Sequence, residues 1–304
     1  MTTLQDRMTR ALAARVALPG FNIPYLPMMA PVVRALQDTR CFGLIMAARL
    51  EWTKFAAGGP RQLFEAYQVV KDPAFTALHL DHVPVIDEDD LTVDYEAILA
   101  EAIALGYDSV MVDGSRLPLD ENIAATRRIV EMAHGAGVAV EAELGAVLGH
   151  ESGPLPPYEE LFASGRGFTD PDEARRFVHE TGVDWLSVAV GSVHGAISAT
   201  QRREKKVEAR LSIERLDALR QATGVPLVLH GGTGIRTDCI REAIRHGIAK
   251  INIATAIRQP YEALVETYPE AALDAVYAAT ITVIRDELAL EGTADILNPH
   301  TAPD

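Results

Sequence analysis

Cysteine is scarce in this chain of 304 residues. There are two, Cys41 and Cys239, and they stand far apart in the sequence. Two isolated cysteines cannot build a disulfide framework, and they lack the spacing of a zinc finger. Such sparse use of cysteine is typical of proteins from a reducing compartment. The sequence therefore predicts a cytoplasmic protein.

Long hydrophobic runs are absent as well. The first residues carry Asp6, Arg7, Arg10 and Arg15 among their apolar neighbours, which interrupts the continuous stretch that a signal peptide requires. The sequence has no apolar run of about 18 residues, the length that a membrane-spanning helix needs. Neither export nor a membrane partner is expected.

Basic residues are outnumbered by acidic ones. The chain has 28 Lys and Arg against 43 Asp and Glu, and its formal net charge is -15 at pH 7. Nucleic acids and anionic membrane surfaces bind proteins through positive patches. The composition therefore argues against these partners, and an anionic substrate would need backbone amides and a metal ion to offset the overall charge.

Short apolar runs alternate with segments of helical periodicity, and 48% of the residues are hydrophobic. Eight of the runs predict strands: Val16–Ile23, Gly43–Ala48, Thr76–Asp81, Tyr107–Val112, Val138–Glu143, Trp185–Val190, Val225–His230 and Ala249–Ile253. Apolar strands that are each followed by an amphipathic helix are typical of a parallel sheet, and eight of them close a barrel. We expect an α/β fold, a (β/α)8 TIM barrel that forms a single domain over residues 1–304 with an extra C-terminal helix.

Two connections between predicted elements are unusually long. The first, about residues 83–94, contains the acidic run Asp87-Glu88-Asp89-Asp90, and the second, about residues 144–167, is rich in Gly and Pro. Loops of this length in a compact barrel commonly cover a binding site. We expect a mobile loop at 144–167, and an acidic insertion that folds over the site and disfavours a second phosphate.

Three histidines follow predicted strands that are well separated in the sequence: His82, His194 and His230. A single histidine at a strand end is more often a hydrogen-bonded structural residue. Three at the same barrel face favour a catalytic zinc site with one open position. His79 lies two residues deeper on its strand than Asp81, so it is predicted to pack beneath the site.

Further polar residues end strands at the same predicted face. They are Asp81, Asp113, Glu143, Asn252 and Thr255. The segment Gly231-Gly232-Thr233-Gly234 follows the seventh strand and precedes a helix, so its amides are expected to bind an anion. Together with the end of the eighth strand, this is where barrels commonly hold phosphate.

These motifs resemble those of the class II, zinc-dependent fructose- and tagatose-bisphosphate aldolases. The similarity runs from about Pro19 to about Gly292. It rests on Leu78-His79-Leu80-Asp81-His82, Ser109-Val110-Met111-Val112-Asp113-Gly114-Ser115, Glu141-Ala142-Glu143-Leu144-Gly145, Gly191-Ser192-Val193-His194-Gly195, His230-Gly231-Gly232-Thr233-Gly234 and Lys250-Ile251-Asn252-Ile253-Ala254-Thr255. The resemblance implies a lyase that cleaves a ketose 1-phosphate or ketose bisphosphate to dihydroxyacetone phosphate and an aldehyde.

The resemblance also assigns roles to residues. Zn²⁺ is bound by His82, His194 and His230; Asp81 is the general acid/base at the hydroxyl of the breaking bond, and Glu151 on the mobile loop moves the proton of the dihydroxyacetone phosphate carbon. Substrate binding falls to Gly195, Gly231, Gly232, Thr233, Asn252, Ala254 and Thr255.

Asp113 and Glu143 correspond to acidic residues near the metal. They hold a second or monovalent cation, or they hydrogen-bond to the metal-ligand histidines, and both interpretations stay open.

Three residues depart from the family pattern. Val83 replaces a glycine, Ala256 replaces an acidic residue, and Tyr277 stands where fructose-bisphosphate aldolases have an arginine that contacts the distal phosphate. The dihydroxyacetone phosphate half is thus expected to match the family and the aldehyde half to diverge. Alternatives are a non-catalytic barrel subunit that stabilises a partner aldolase, and a barrel metal hydrolase. A homo-oligomer, a dimer or a tetramer, is expected.

Overall fold

Eight parallel strands form a closed barrel in which each strand pairs with the next and the eighth pairs with the first. The computed structural model describes residues 2–145, 158–192, 210–232 and 234–298. The strands are β1 (Leu18–Asn22), β2 (Gly43–Ala48), β3 (Thr76–Pro84), β4 (Ser109–Asp113), β5 (Ala139–Leu144), β6 (Trp185–Val188), β7 (Leu227–Leu229) and β8 (Ile248–Ile253). Each overlaps one predicted run, and the (β/α)8 TIM barrel is confirmed.

Helices surround this barrel. They are α1 (Leu4–Ala14), α2 (Met29–Asp38), α3 (Arg49–Thr53), α4 (Pro60–Val70), α5 (Tyr95–Leu105), α6 (Leu119–Gly135), α7 (Tyr158–Ser164), α8 (Pro171–Thr181), α9 (Ile213–Thr223), α10 (Thr237–Arg245), α11 (Thr255–Leu264), α12 (Pro269–Thr282) and α13 (Thr293–Leu297). A π-helical segment, Val283–Leu288, continues α12 and forms part of the expected C-terminal extension. None of these helices has both the length and the apolar character needed to cross a membrane.

Local sequence signals explain where helices begin and end, and α8 shows this well. Asp170 precedes the helix, and its side chain accepts hydrogen bonds from the backbone N–H groups of Asp172 and Glu173. Pro171 occupies the first helical position, where no N–H donor is needed. Gly182 ends the helix with a φ of 70°, a conformation that glycine adopts without strain.

Apolar side chains close the amino-terminal end of the barrel. Leu4 and Met8 of α1 pack in one buried cluster with Leu18, Ala139 and Trp185, the first residues of β1, β5 and β6. These side chains fill the interior of the barrel at its amino-terminal end. The carboxyl-terminal end carries the polar residues, as in other barrels of this type.

The two long connections contain more regular structure than the sequence suggested. Residues 83–94, called the acidic hairpin below, are closed by an antiparallel bridge between Ile86 and Thr92. The expectation of a continuous loop over residues 144–167 is wrong for part of that range, because Tyr158–Ser164 forms α7. Residues 146–157 of that connection lie outside the described part of the chain.

Candidate active site

A β-bulge at the end of β3 positions the residues at the centre of the site. The pairing of β3 with β4 shifts register between Leu80 and Val83, and His82 has a φ of 24°, an uncommon value for a residue other than glycine. In a regular strand, neighbouring side chains point to opposite faces. The bulge re-aims the chain here, and Asp81 and His82 both reach polar partners at the carboxyl-terminal end of the barrel.

Asp81 is buried and held by amide donors. Its Oδ2 accepts from Asn22 Nδ2 at 2.9 Å, and Asn252 Nδ2 donates to Oδ1 at 3.0 Å and to Oδ2 at 3.2 Å. Burial alone would raise the pKa of Asp81, but the nearby charges of His82 and Lys250 outweigh it and hold the pKa well below its usual range. Asp81 is therefore an ionised carboxylate with a fixed orientation.

The two described histidines of the predicted metal site lie side by side, with ring centroids 4.4 Å apart. His82 Nδ1 lies 2.9 Å from Asp113 Oδ2, and His230 Nε2 lies 2.9 Å from Glu141 Oε1. Glu143 Oε2 approaches His230 Nδ1 to 3.0 Å. Carboxylates that orient imidazoles in this way commonly surround metal-binding histidines.

The carboxylates also favour protons on both rings. Burial would lower the pKa of His82, but Asp81 and Asp113 raise it to about 10. Burial and the charge of His82 would lower the pKa of His230, yet hydrogen bonding to carboxylates, Glu141 first among them, raises it. Since metal ligands must lose their protons, a divalent cation bound here would displace protons that the site otherwise holds.

The donor set fits a divalent cation. Ligand atoms of Asp81, His82 and His230 all lie within 4.8 Å of one another, and so do those of His82, Asp113 and Glu143. Nitrogen and carboxylate ligands of this kind suit zinc and related metals. The second group agrees with a further cation near Asp113 and Glu143, while their contacts with the histidines agree with the alternative role.

Unpartnered buried atoms support a ligand site. Within the described residues, the buried side-chain atoms that make no hydrogen bond include His79 Nε2, Ser192 Oγ and Asn252 Oδ1. Buried polar groups are nearly always paired, so such atoms call for a partner. Asn252 Oδ1, on the residue that also holds Asp81, fits a donor group of a substrate.

A second buried layer lies directly beneath. Glu141 Oε2 accepts from Lys250 Nζ and from Trp185 Nε1, each at 2.8 Å. Burial would raise the pKa of Glu141, but the charge of Lys250 above all lowers it to about 2. His79 is fully buried here, with Nδ1 2.7 Å from Ser109 Oγ, which is the packing position expected for it.

The glycine segment after β7 lies against the end of β8. Gly231 has a φ of 70°, and a Cβ added to Gly232 would lie 2.9 Å from Ile251 Cγ2, so this close approach requires glycine. Thr255 begins α11 immediately after β8. Free backbone N–H groups at a helix N-terminus favour anions, which agrees with the predicted phosphate position.

The structure brings most of the predicted site residues to this end of the barrel. Those it describes are Asp81, His82, Asp113, Glu143, His230, Gly231, Gly232, Asn252, Ala254 and Thr255. Glu151, His194, Gly195 and Thr233 lie outside the described residues.

Four residues at or just beneath the site were not among the predicted ones: Asn22, Glu51, Glu141 and Lys250. Strand alternation could have found two of them, because Glu141 and Glu143 share a face of β5 and Lys250 and Asn252 share a face of β8.

Tyr277 lies away from this site. Its hydroxyl donates to Asp38 Oδ2 at 2.8 Å, and the guanidinium of Arg34 lies 4.2 Å from the centre of its ring. Asp38 ends α2 just before β2 starts, so this contact belongs to the amino-terminal end of the barrel. The interpretation of Tyr277 as a substitute for a phosphate-binding arginine at this site is therefore wrong within one subunit.

The acidic hairpin is largely neutralised by basic residues. Arg49 Nη1 lies 3.1 Å from Asp87 Oδ2, Lys54 Nζ lies 3.1 Å from Glu88 Oε1, and Arg116 pairs with Asp90. Repulsion of a second phosphate by unpaired carboxylates is consequently weaker than the sequence suggested. The same pairing engages the charges of Arg49, Lys54 and Arg116.

Comparison with known proteins agrees with this geometry. The family model described as fructose-bisphosphate aldolase class-II matches residues 2–294. The chain belongs to the class II fructose-bisphosphate aldolase family. Aldolases are carbon–carbon lyases, so both the family and the enzyme class expected from the sequence are confirmed.

Individual relatives of this aldolase are similar over most of their length. The fructose-bisphosphate aldolase of Staphylococcus aureus is 42% identical over 265 residues, covering 84% of this chain and 81% of the relative. A probable fructose-bisphosphate aldolase of Bacillus subtilis is 40% identical over 260 residues, with the same coverage. The crystal structure of the YdjI aldolase from Escherichia coli K12 matches 96% of this chain and 99% of its own, with a TM-score of 0.75 and 26% identity.

Proposed function

We propose that this chain is a zinc-dependent aldolase that reversibly cleaves a ketose 1-phosphate or ketose bisphosphate to dihydroxyacetone phosphate and an aldehyde. The observation that carries the proposal is the ionised, amide-held Asp81 beside the paired histidines His82 and His230. A base in this position can take a proton from a substrate hydroxyl that a neighbouring cation also contacts. His194 completes the proposed ligand set.

Asp81 acts on the hydroxyl at C4 of the ketose. It removes the hydroxyl proton as the C3–C4 bond breaks and the aldehyde forms, and it returns the proton in the synthetic direction. A bound zinc ion supplies Lewis-acid polarisation of the ketose carbonyl. Glu151 is proposed to protonate the carbon that becomes C3 of dihydroxyacetone phosphate, which balances the reaction.

The phosphate of the dihydroxyacetone half is proposed to bind between β7 and β8. Gly231 and Gly232 supply backbone amides, Thr255 opens α11, and Gly195 and Thr233 are proposed as further contacts. Asn252, at the end of β8, donates to Asp81, and Ala254, which follows β8, is proposed as a further contact. Such amide-rich sites bind phosphate in spite of an overall negative charge.

The aldehyde half is proposed to differ from that of fructose-bisphosphate aldolase. Val83 is buried at the bulge beside His82, where the family has glycine, and the acidic hairpin follows directly. Arg49, Lys54 and Arg116 are engaged by this hairpin, so a second phosphate would have to compete for them. A neutral, hydroxyl-rich aldehyde suits these surroundings better.

The proposal also covers the organisation and location of the protein. It comprises a single domain over residues 1–304, a homo-oligomer of two or four subunits, and a cytoplasmic location. The net charge of -15 argues against nucleic acid as a partner.

A panel of aldehydes offered with dihydroxyacetone phosphate tests the function, with carbon–carbon bond formation as the readout. We expect condensation with at least one hydroxyaldehyde, dependence on a divalent metal and loss of activity after chelation. Absence of condensation and of retro-aldol cleavage in the metal-loaded protein would instead support the non-catalytic subunit. The ordered surroundings of Asp81 favour the catalytic alternative.

A further inference from the structure

A buried acid at the end of β2 has no part in the function described so far. Glu51 lies in the first turn of α3, and only 7% of its surface is exposed. Its Oε2 accepts a hydrogen bond from the backbone N–H of Ala48 at 2.7 Å and another from Asn22 Nδ2 at 3.2 Å. Glu51 therefore touches both the end of a barrel strand and a residue that holds Asp81.

Asn22 connects the two acids through a single nitrogen. Its Nδ2 donates to Glu51 Oε2 on one side and to Asp81 Oδ2, at 2.9 Å, on the other. An amide nitrogen has two hydrogens, so both are used. A rotation of the Asn22 amide that presented its oxygen to Asp81 would set oxygen against an ionised carboxylate and would also lose the N–H donated to Glu51 Oε2. Glu51 thus adds a second contact that favours the nitrogen end of the amide facing the general base.

The two acids differ in charge. Burial raises the pKa of Glu51 to about 8; the hydrogen bond from Ala48 acts in the opposite direction, and the charge of Asp81 adds to the rise. Asp81 stays ionised, as shown above. When the surroundings of two acids give them different pKa values, the two acids can take different roles at one site. Near neutral pH, Glu51 accepts hydrogen bonds from its two donors without placing a second negative charge beside Asp81.

We propose that Glu51 is a positioning residue that, through Asn22, holds the Asp81 carboxylate in the orientation that meets the reacting hydroxyl. The inference rests on the proposed role of Asp81 as the general acid/base. The proposed role requires a hydrogen-bond acceptor at position 51. Glutamine meets that requirement, whereas alanine and methionine do not.

Steady-state cleavage by the metal-loaded enzyme tests this with three variants. Glu51→Gln should keep kcat close to the wild-type value, because the amide oxygen accepts from the same donors. Glu51→Ala and the better space-filling Glu51→Met should lower kcat by roughly 10- to 100-fold, the usual effect of losing a hydrogen bond that orients a charged group. KM and bound metal should change little, since Glu51 is not placed against substrate or metal.

Gln62→Ala is the matched control. Gln62 Oε1 accepts from the backbone N–H of Gly59 at 3.1 Å at the start of α4, the same kind of helix-start contact that Glu51 makes with Ala48. This variant removes such a contact away from Asp81, so its kcat should match the wild type. A loss of kcat equal to that of Glu51→Met would show that helix starts in general, rather than Asn22, account for the effect, and would overturn the proposal.

A double-mutant cycle tests the route through Asn22. In an Asn22→Ala background, Glu51→Met should cause no further loss of kcat, because the residue through which it acts is gone; independent effects would multiply instead. Multiplying effects overturn the proposal, as does a Glu51→Gln variant as slow as Glu51→Met. A wild-type enzyme that cleaves no ketose phosphate refutes the proposed function itself, whereas an active wild type with an equally active Glu51→Met refutes only the positioning role.

Discussion

Replacing Asp81 with alanine separates two roles that the structure allows for this carboxylate. Asp81 has ligand atoms close to His82 and His230 and so could bind a metal directly. It also has the position of a general base. The two roles predict different losses, because a metal ligand is needed for metal content and a general base for turnover alone.

The contacts of Asp81 favour the second role. An ionised carboxylate offers about four lone-pair positions, and Asn22 and Asn252 already direct three hydrogen bonds at its two oxygens. About one position is left for a further partner, which suits a substrate hydroxyl. Loss of a general acid/base typically lowers the rate by about 10²- to 10⁴-fold.

We therefore expect Asp81→Ala to lose about 10²- to 10⁴-fold in kcat for retro-aldol cleavage while it retains its metal. Folding should be weakened, since the amides of Asn22 and Asn252 lose their acceptor, at about 1–3 kcal/mol for each buried donor left unpaired. Cleavage rates, metal analysis and thermal unfolding of the same preparation are the measurements. Loss of the metal in parallel with activity, or a rate loss below about tenfold, would refute the reasoning.

Four further predictions concern the metal, the loop, the substrate and pH. His230→Ala should bind less divalent metal than the wild type by elemental analysis, because it removes a ring whose ligand atom lies close to those of Asp81 and His82; equal metal content would argue against His230 as a ligand. Glu151→Ala should slow solvent proton exchange of dihydroxyacetone phosphate more than it weakens binding, as isotope exchange by NMR would show. Fructose 1,6-bisphosphate should have a lower kcat/KM than a ketose 1-phosphate, because Arg49 and Arg116 are already paired with the acidic hairpin; a preference for the bisphosphate would contradict this. Finally, burial raises the pKa of Glu51 from an ordinary 4.5 to about 8 in the folded chain. Between these two pH values the folded state holds a proton that the unfolded chain has lost, so the free energy of unfolding falls as the pH rises. Denaturant unfolding should therefore show that the wild type loses stability relative to Glu51→Gln between about pH 4.5 and pH 8.

The barrel and the location of its site were predictable from sequence because both depend on local patterns. Apolar runs mark the strands, and a polar residue directly after such a run must lie at the carboxyl-terminal end of a parallel barrel. These patterns alone predict that Asp81, His82 and His230 lie together, as they do in the structure. The closed order of the strands then follows from eight successive strand–helix units.

What the sequence could not supply were contacts that depend on conformation at single residues. Asp81 pairs with Asn22 next to the bulge and the positive φ of His82. Glycine is the residue that usually indicates a positive φ, and here the position is a histidine, so the sequence does not predict this conformation. The contacts of Tyr277 also depend on how its helix packs, which the resemblance to the family does not determine. Its hydroxyl bonds to Asp38 on α2, away from the site.

Charge explains why the centre of this site is built in two layers. Asp81, Asp113, Glu141 and Glu143 form a dense group of carboxylates, and burying uncompensated charges of one sign would be strongly unfavourable. Lys250, fixed beneath them by Glu141, supplies one buried positive charge that does not leave with the metal. The histidines supply the rest as protons, and a bound cation can replace these. The charge of Lys250 lowers the pKa of Glu141 above all, and it acts together with His82 to lower the pKa of Asp81.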